Sequence, residues 1–145
     1  MWITQMAQQL SQPVNVNVLI GNTDWAWPQA VEQIFRPCGI NALVANTSDE
    51  MVRVIDNNKI HLALLDMAFD ELTGIQTLEI IRKHNRLLPC ILLARHIDQR
   101  LLSEALRLDA FSVMSKPIDI NRLREQLNRL FLKYYASNLF ANKCK

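Results

Sequence analysis

The sequence predicts an α/β fold, a parallel sheet with helices on both faces. Three observations predict it. Five short apolar runs alternate with five amphipathic segments along the chain. The third run, residues 60–66, is apolar almost throughout, as a strand covered on both faces must be. Finally, Leu62-Ala63-Leu64-Leu65 closes on Asp66, and Val113-Met114-Ser115 closes on Lys116-Pro117. Ligands bind outside the carboxyl ends of the strands in open α/β sheets. An acid at one such end and a lysine at another can therefore meet, and a carboxylate beside a fixed cation is the minimum kit for accepting a phosphoryl group.

The elements follow in order. Residues 15–21 begin with strict alternation and end apolar, which predicts the first strand. Residues 25–38 predict a helix: Pro28 fits its first turn, where a missing N–H costs nothing, and Gly39 is placed to stop it. Residues 40–45 predict the second strand. Thr47 or Ser48 can cap a helix running to about Asp56, with Asp49 and Glu50 suited to its positive end. Residues 60–66 predict the third strand, with a loop to Gly74. Residues 75–85 predict a helix with Ile75, Leu78, Ile80 and Ile81 on one side. Pro89 introduces the fourth strand, residues 90–94. Asp98 can cap a helix carrying Leu101, Leu102, Ala105, Leu106 and Leu108. Residues 112–115 predict the fifth strand. Asp119 caps the last helix, which places Leu123, Leu127, Leu130, Phe131 and Tyr134 on one face.

With 145 residues the chain is long enough for one domain with a substantial core. Residues 1–14 form a polar, glutamine-rich lead-in, residues 15–133 the domain, and residues 134–145 a helix extension and tail. Half the residues are hydrophobic, as in ordinary globular chains. A net charge of +2 is too small to argue for nucleic acid or an anionic membrane. The densest basic cluster, Arg82-Lys83-His84-Asn85-Arg86, ends a predicted helix and is read as complementing the helix dipole. Cys38, Cys90 and Cys144 are odd in number and form no CxxC motif, which argues against a disulfide framework and a zinc site. Cys90, in an apolar run, reads as a small core residue. His61, His84 and His96 lack metal-ligand spacing and read as structural or solvent-facing. No stretch resembles a signal peptide or reaches transmembrane length, so a cytoplasmic chain without membrane contact is expected. There is no GxGxxG or Walker sequence, and with three glycines in all a glycine-rich nucleotide loop is not expected.

The order of elements and the residues at their ends resemble the receiver domain of bacterial response regulators, the CheY-like superfamily, over residues 15–133. Leu64-Leu65-Asp66 resembles the family's phosphoacceptor at the end of strand three. Gly74 matches the glycine that closes the following loop. Ser115-Lys116-Pro117 resembles the Ser/Thr-Lys-Pro whose lysine contacts the phosphoryl group and whose Lys–Pro bond is usually cis. The resemblance implies a doubly wound, flavodoxin-like sheet of order 2-1-3-4-5. It also implies a signalling module rather than an enzyme, and a histidine kinase or other signalling protein as partner.

The departures are as informative. Receivers end strand one with two adjacent acids that hold Mg²⁺; here the stretch is Gly21-Asn22-Thr23-Asp24. Asn22, Asp24 and Asp66 are left as the candidate Mg²⁺ ligands. An amide in place of a carboxylate removes a charge that this hard cation favours, so a weakened site is expected. At the end of strand four, Ala94 stands where the family has a hydroxyl, and Arg95 follows where it has a small residue. Arg95 is read either as a solvated loop residue or as a cation paired with an acid such as Asp66. Val113 replaces the switch aromatic, and Asp70 the proline four residues after the acceptor. Trp25 and Trp27 flank the loop after strand one.

The preferred reading is an atypical receiver that works through protein contacts. Its expected partner face, by resemblance, is formed by the last two helices and strand five. Apolar residues at the end of the chain, Phe131, Tyr134, Tyr135, Leu139 and Phe140, suggest a dimerising helix. The alternative is a fully functional receiver that takes phosphate from a histidine kinase. A flavodoxin-like cofactor-binding enzyme is a distant third. No DNA-binding helix-turn-helix follows the domain, so direct nucleic-acid binding is not expected.

Overall fold

The computed structural model describes residues 16–21, 31–67 and 74–136. Five strands, β1 (Asn17–Gly21), β2 (Asn41–Ala45), β3 (Leu62–Asp66), β4 (Cys90–Ala94) and β5 (Ser112–Ser115), form one sheet of order β2-β1-β3-β4-β5. Every neighbouring pair is parallel. Four α-helices alternate with them: α1 (Ser48–Asn57), α2 (Gly74–His84), α3 (Gln99–Arg107) and α4 (Ile120–Tyr135). The sheet is the doubly wound, flavodoxin-like arrangement that the resemblance implies.

Alternation along the strands splits the core in two. Val18, Ile20, Leu62, Leu64, Ile91, Leu93 and Met114 face Leu123, Leu127, Leu130 and Phe131 of α4, with Ile34 and Phe35 beside them. Leu19, Ala63, Leu65, Cys90 and Leu92 face Met51 and Ile55 of α1, Leu78 and Ile81 of α2, and Ala105 of α3. Strands with period-two side chains put successive residues on opposite faces. β3 and β4 are buried at every position for that reason.

The helix starts follow their caps. Thr47 Oγ1 accepts from the Glu50 N–H at 3.1 Å, while Glu50 Oε2 accepts from the Asn46 N–H at 2.8 Å. This reciprocal pair satisfies donors that a helix start leaves open. Asp98 Oδ1 accepts from the Leu101 N–H, and Asp119 Oδ1 from the N–H groups of Asn121 and Arg122.

Four sequence expectations need adjustment. The first strand begins at Asn17 rather than residue 15. The helix expected over 25–38 is described only from Val31, where it is one π-helical turn, Val31–Phe35, stopped by Gly39 at φ 70°. In α3 only Ala105 is buried; Leu102 and Leu106 are exposed. In α4 Tyr134 is exposed, and Tyr135, the next residue round, packs against the core instead.

Two further features are tertiary. Arg82, in the last turn of α2, donates to four backbone carbonyls. Nε reaches Leu108 O at 2.8 Å, Nη1 reaches Leu88 O at 2.7 Å and Asn85 O at 3.4 Å, and Nη2 reaches Asp109 O at 3.1 Å. One guanidinium thus fastens the ends of α2 and α3 to the entry of β4, and Asp109 holds its carbonyl in place with φ 57°. Cys38 is disulfide-bonded. Cys90 is a buried free thiol.

Candidate functional site at the carboxyl edge of the sheet

Asp66 is the last residue of β3, the central strand, and lies beside Leu93 of β4 in the register. It is one of three buried polar residues, with His61 and Thr77, among those described. A carboxylate cannot sit in such a place uncompensated. The compensation comes from Lys116, directly after β5, whose Nζ donates to Asp66 Oδ2. The two side chains are 12% and 4% exposed for lysine and aspartate, so the pair is screened from solvent.

β4 lies between β3 and β5, so the lysine must reach across the end of β4, two strand spacings or about 10 Å from backbone to backbone. Ala94 ends β4 there, 4% exposed, and its carbonyl accepts from the Lys116 N–H at 2.9 Å. The small side chain leaves the lysine's route open and offers no hydroxyl. The Lys116–Pro117 peptide is cis, and Pro117 is exposed.

Gly74 closes the loop on the other side. Its N–H donates to Met67 O at 3.1 Å, and Met67 N–H donates to Leu93 O at 2.8 Å. A Cβ on Gly74 would meet Met67 Cα at 2.8 Å and Met67 Sδ at 2.4 Å. Only glycine lets α2 start against the backbone of the residue that follows Asp66. Gly21 serves β1 similarly: a Cβ there would lie 2.3 Å from Met51 Cε of α1.

The remaining candidates stand as follows. Arg95 is exposed beyond β4, as is His96, and the described ion pair of Asp66 is with Lys116. Val113 is half-buried in β5 and packs with the core that contains Leu65 and Leu92. Asn22, Thr23, Asp24, Trp25, Trp27 and Asp70 lie outside the described residues. Among the described residues no group of three or more His, Cys, Asp or Glu side chains could hold a metal ion. Asp66 alone does not make a Mg²⁺ site, because that cation takes octahedral oxygen ligation and is bound through carboxylates in concert.

Sequence reasoning reached Asp66, Lys116 and Gly74 through their spacing and the resemblance. It missed Gly21 as a packing glycine, although a glycine ending an apolar strand was the available signal.

Comparisons with known proteins agree with this fold. The response regulator receiver domain family model matches residues 18–128. A receiver domain protein (CheY-like) from Methanospirillum hungatei JF-1 superposes with a TM-score of 0.74 at 22% identity, covering 85% of this chain and 99% of that one. A two-component response regulator from Clostridium difficile gives 0.75 at 20%, covering 85% and 100%. The receiver domain of Francisella response regulator 1452 gives 0.71 at 28%, covering 82% and 98%. No curated protein matches the chain. With a family match over most of its length and the acid–lysine pair at the carboxyl edge of a 2-1-3-4-5 sheet, the chain belongs to the response regulator receiver domains of two-component signalling.

Proposed function

We propose that this receiver is an atypical one. It acts as a signalling and protein-interaction module, with Asp66 at the phosphoacceptor position and a weakened capacity to be switched by phosphate. The observation that carries the reading is the buried Asp66–Lys116 pair bridging past Ala94.

In a phosphoryl transfer, an Asp66 oxygen forms a bond to phosphorus as the donor's P–N bond breaks. Lys116 moves its charge from the carboxylate to the phosphoryl oxygens. Mg²⁺ held by Asp66 with Asn22 and Asp24 would supply charge neutralisation there. In sequence the family's adjacent acid pair falls on Asn22 and Thr23, with Asp24 one position late as the stand-in. One carboxylate fewer weakens the site. Ala94 has no hydroxyl to follow the phosphoryl group, and Val113 is too small to act as the switch aromatic. A modification shifts a two-state element only by its differential interaction with the two states, and these substitutions remove most of that difference.

The partner face that the family resemblance supports is formed by α3, β5 and α4. There Leu102, Leu106, Leu132 and Tyr134 are exposed, an apolar surface suited to a kinase, an output protein or a second copy of the chain.

The test is titration of the purified protein with Mg²⁺ and beryllofluoride, read by tryptophan fluorescence and repeated on Asp66→Asn. The expected result is no saturable change in either protein, with calorimetry confirming at most weak binding. A saturable change in the wild type, lost in Asp66→Asn, would assign a working phospho-switch and overturn the atypical reading.

A further inference from the structure

The amino edge of the sheet, opposite Asp66, holds a second buried polar group. His61 directly precedes β3 and is 3% exposed. Its backbone N–H donates to Asn17 O at 2.9 Å, and its Nδ1 accepts from the Asn17 N–H at 3.1 Å. Its carbonyl accepts from the Tyr135 hydroxyl at 2.6 Å. The Tyr135 ring stands edge-on to the imidazole, centroids 5.4 Å apart, and also packs against Phe131 at 5.1 Å. A single residue thus joins β1, β3 and the last turn of α4.

We propose that His61 is a proton-sensitive latch: its neutral imidazole holds the carboxyl-terminal end of α4 on the sheet, and protonation releases it. To accept from Asn17, Nδ1 must carry its lone pair, so the ring proton is on Nε2. A second proton goes to Nδ1 and sets donor against donor in a buried place. The imidazole must then leave the Asn17 N–H, and the Tyr135 ring stacked on its edge cannot keep its seat. An attraction between the new cation and the aromatic ring does not compensate, since it is worth less than a buried hydrogen bond left unmade plus the burial of a charge.

Among the described residues no acid faces the cation. Lys59, two residues upstream, repels it. The Tyr135 phenol is held protonated, pushed up to about 12 by burial. The amides of Asn17 and Asn41 are neutral and engaged, Asn17 Nδ2 with Lys59 O at 2.9 Å and Asn41 Nδ2 with Asn17 Oδ1 at 3.1 Å. Burial first, then the Lys59 charge, hold the imidazole below its ordinary 6.5, against a smaller opposing pull from the hydrogen bond with the Asn17 backbone. The sign follows: the latch is fully closed above 6.5, the unfolded value, and opens as pH falls through the lower folded value.

The experiment is an NMR pH titration of the full chain from pH 8 to 5. It follows the His61 ring, the Asn17 amide and the amides of Leu130 to Ala136, with the exposed His84 and His96 as internal references. The His61 ring, Asn17 and the helix-end amides are expected to move together, with a midpoint below 6.5. Amide exchange at the helix end, corrected for intrinsic rate, should rise at least tenfold between pH 7.5 and 5. In His61→Asn, whose Oδ1 can take the Asn17 N–H without titrating, the helix-end response should vanish. Tyr135→Leu, which removes the ring beside the imidazole as well as the hydroxyl on the His61 carbonyl, should uncouple the helix end while the Asn17 amide still follows the His61 ring. Helix-end amides that ignore the His61 titration, or that shift unchanged in His61→Asn, would overturn the proposal. Should His61→Asn fail to fold, the wild type and Tyr135→Leu decide it alone.

Discussion

Arg82 should be worth several times an ordinary surface arginine. Its four acceptors belong to three segments: the loop after α2, the entry to β4 and the turn after α3. Hydrogen bonds from a charged donor contribute about 1.5–3 kcal/mol each. The guanidinium is half-buried, and the carbonyls of Asn85 and Asp109 can take water in its absence. Counting only the two shortest bonds, to Leu88 and Leu108, at the low end gives a loss of about 3 kcal/mol for Arg82→Met. Arg82→Lys keeps the charge but not the planar fork. It should recover one of those bonds and lose about 1.5 kcal/mol. Urea unfolding followed by circular dichroism gives both values, and the thermal midpoint should fall by about 10 °C for the methionine variant. If Arg82→Met costs no more than about 0.5 kcal/mol, the residue does only what a cation at any helix carboxyl end does. If lysine replaces arginine without loss, the fork geometry is irrelevant. Either result refutes the reasoning.

Lys116→Met strands a buried carboxylate and should cost about 3 kcal/mol, whereas the double variant Asp66→Asn with Lys116→Met should cost less than the sum of its parts by at least about 1 kcal/mol; a urea double-mutant cycle measures the coupling. Gly74→Ala forces a methyl onto the Met67 backbone and should lose about 2 kcal/mol, while Gly21→Ala meets side chains alone, the movable end of Met51 and Leu65 Cδ2 at 3.3 Å, and should lose less; the order of the two midpoints is the check. Thr47→Ala removes the cap of α1 and should lose about 1 kcal/mol, with Thr47→Ser near the wild type.

Much of this fold was legible because its signals are local. Thr47, Asp98 and Asp119 each precede the helix they cap, and the apolar runs at β3 and β4 need no partner to be recognised. Asp66 and Lys116, fifty residues apart, became a pair only through the rule that strand ends share an edge. What stayed hidden depends on distant partners. The cluster at Arg82 looked like a dipole complement, since nothing in residues 82–86 points to carbonyls 26 and 27 positions on. His61 was readable as structural but not as the seat for Tyr135, 74 residues away. The leucines of α3 show a different limit. Leu101, Leu102, Ala105, Leu106 and Leu108 spread over about 160° of the helix circumference, so the pattern marks a broad apolar face without saying which edge of it docks. The structure turns Ala105 inward and leaves Leu102 and Leu106 outside.

The burial of Cys90 makes the sheet its own reporter. This thiol lies at the start of β4 in the middle of the core, where burial pushes it up to about 12 from an ordinary 9.0. At pH 8 it therefore carries about a thousandfold less thiolate than a thiol in water, and no reagent can approach it in the closed state. Alkylation of Cys90 under native conditions must wait for the helices packed on its face of the sheet to lift, or for β4 to come away from its neighbours. Its rate counts those rare openings. Any event that loosens the middle of the sheet, at the Asp66 edge or the His61 edge, would register as faster labelling of an atom about midway between the two.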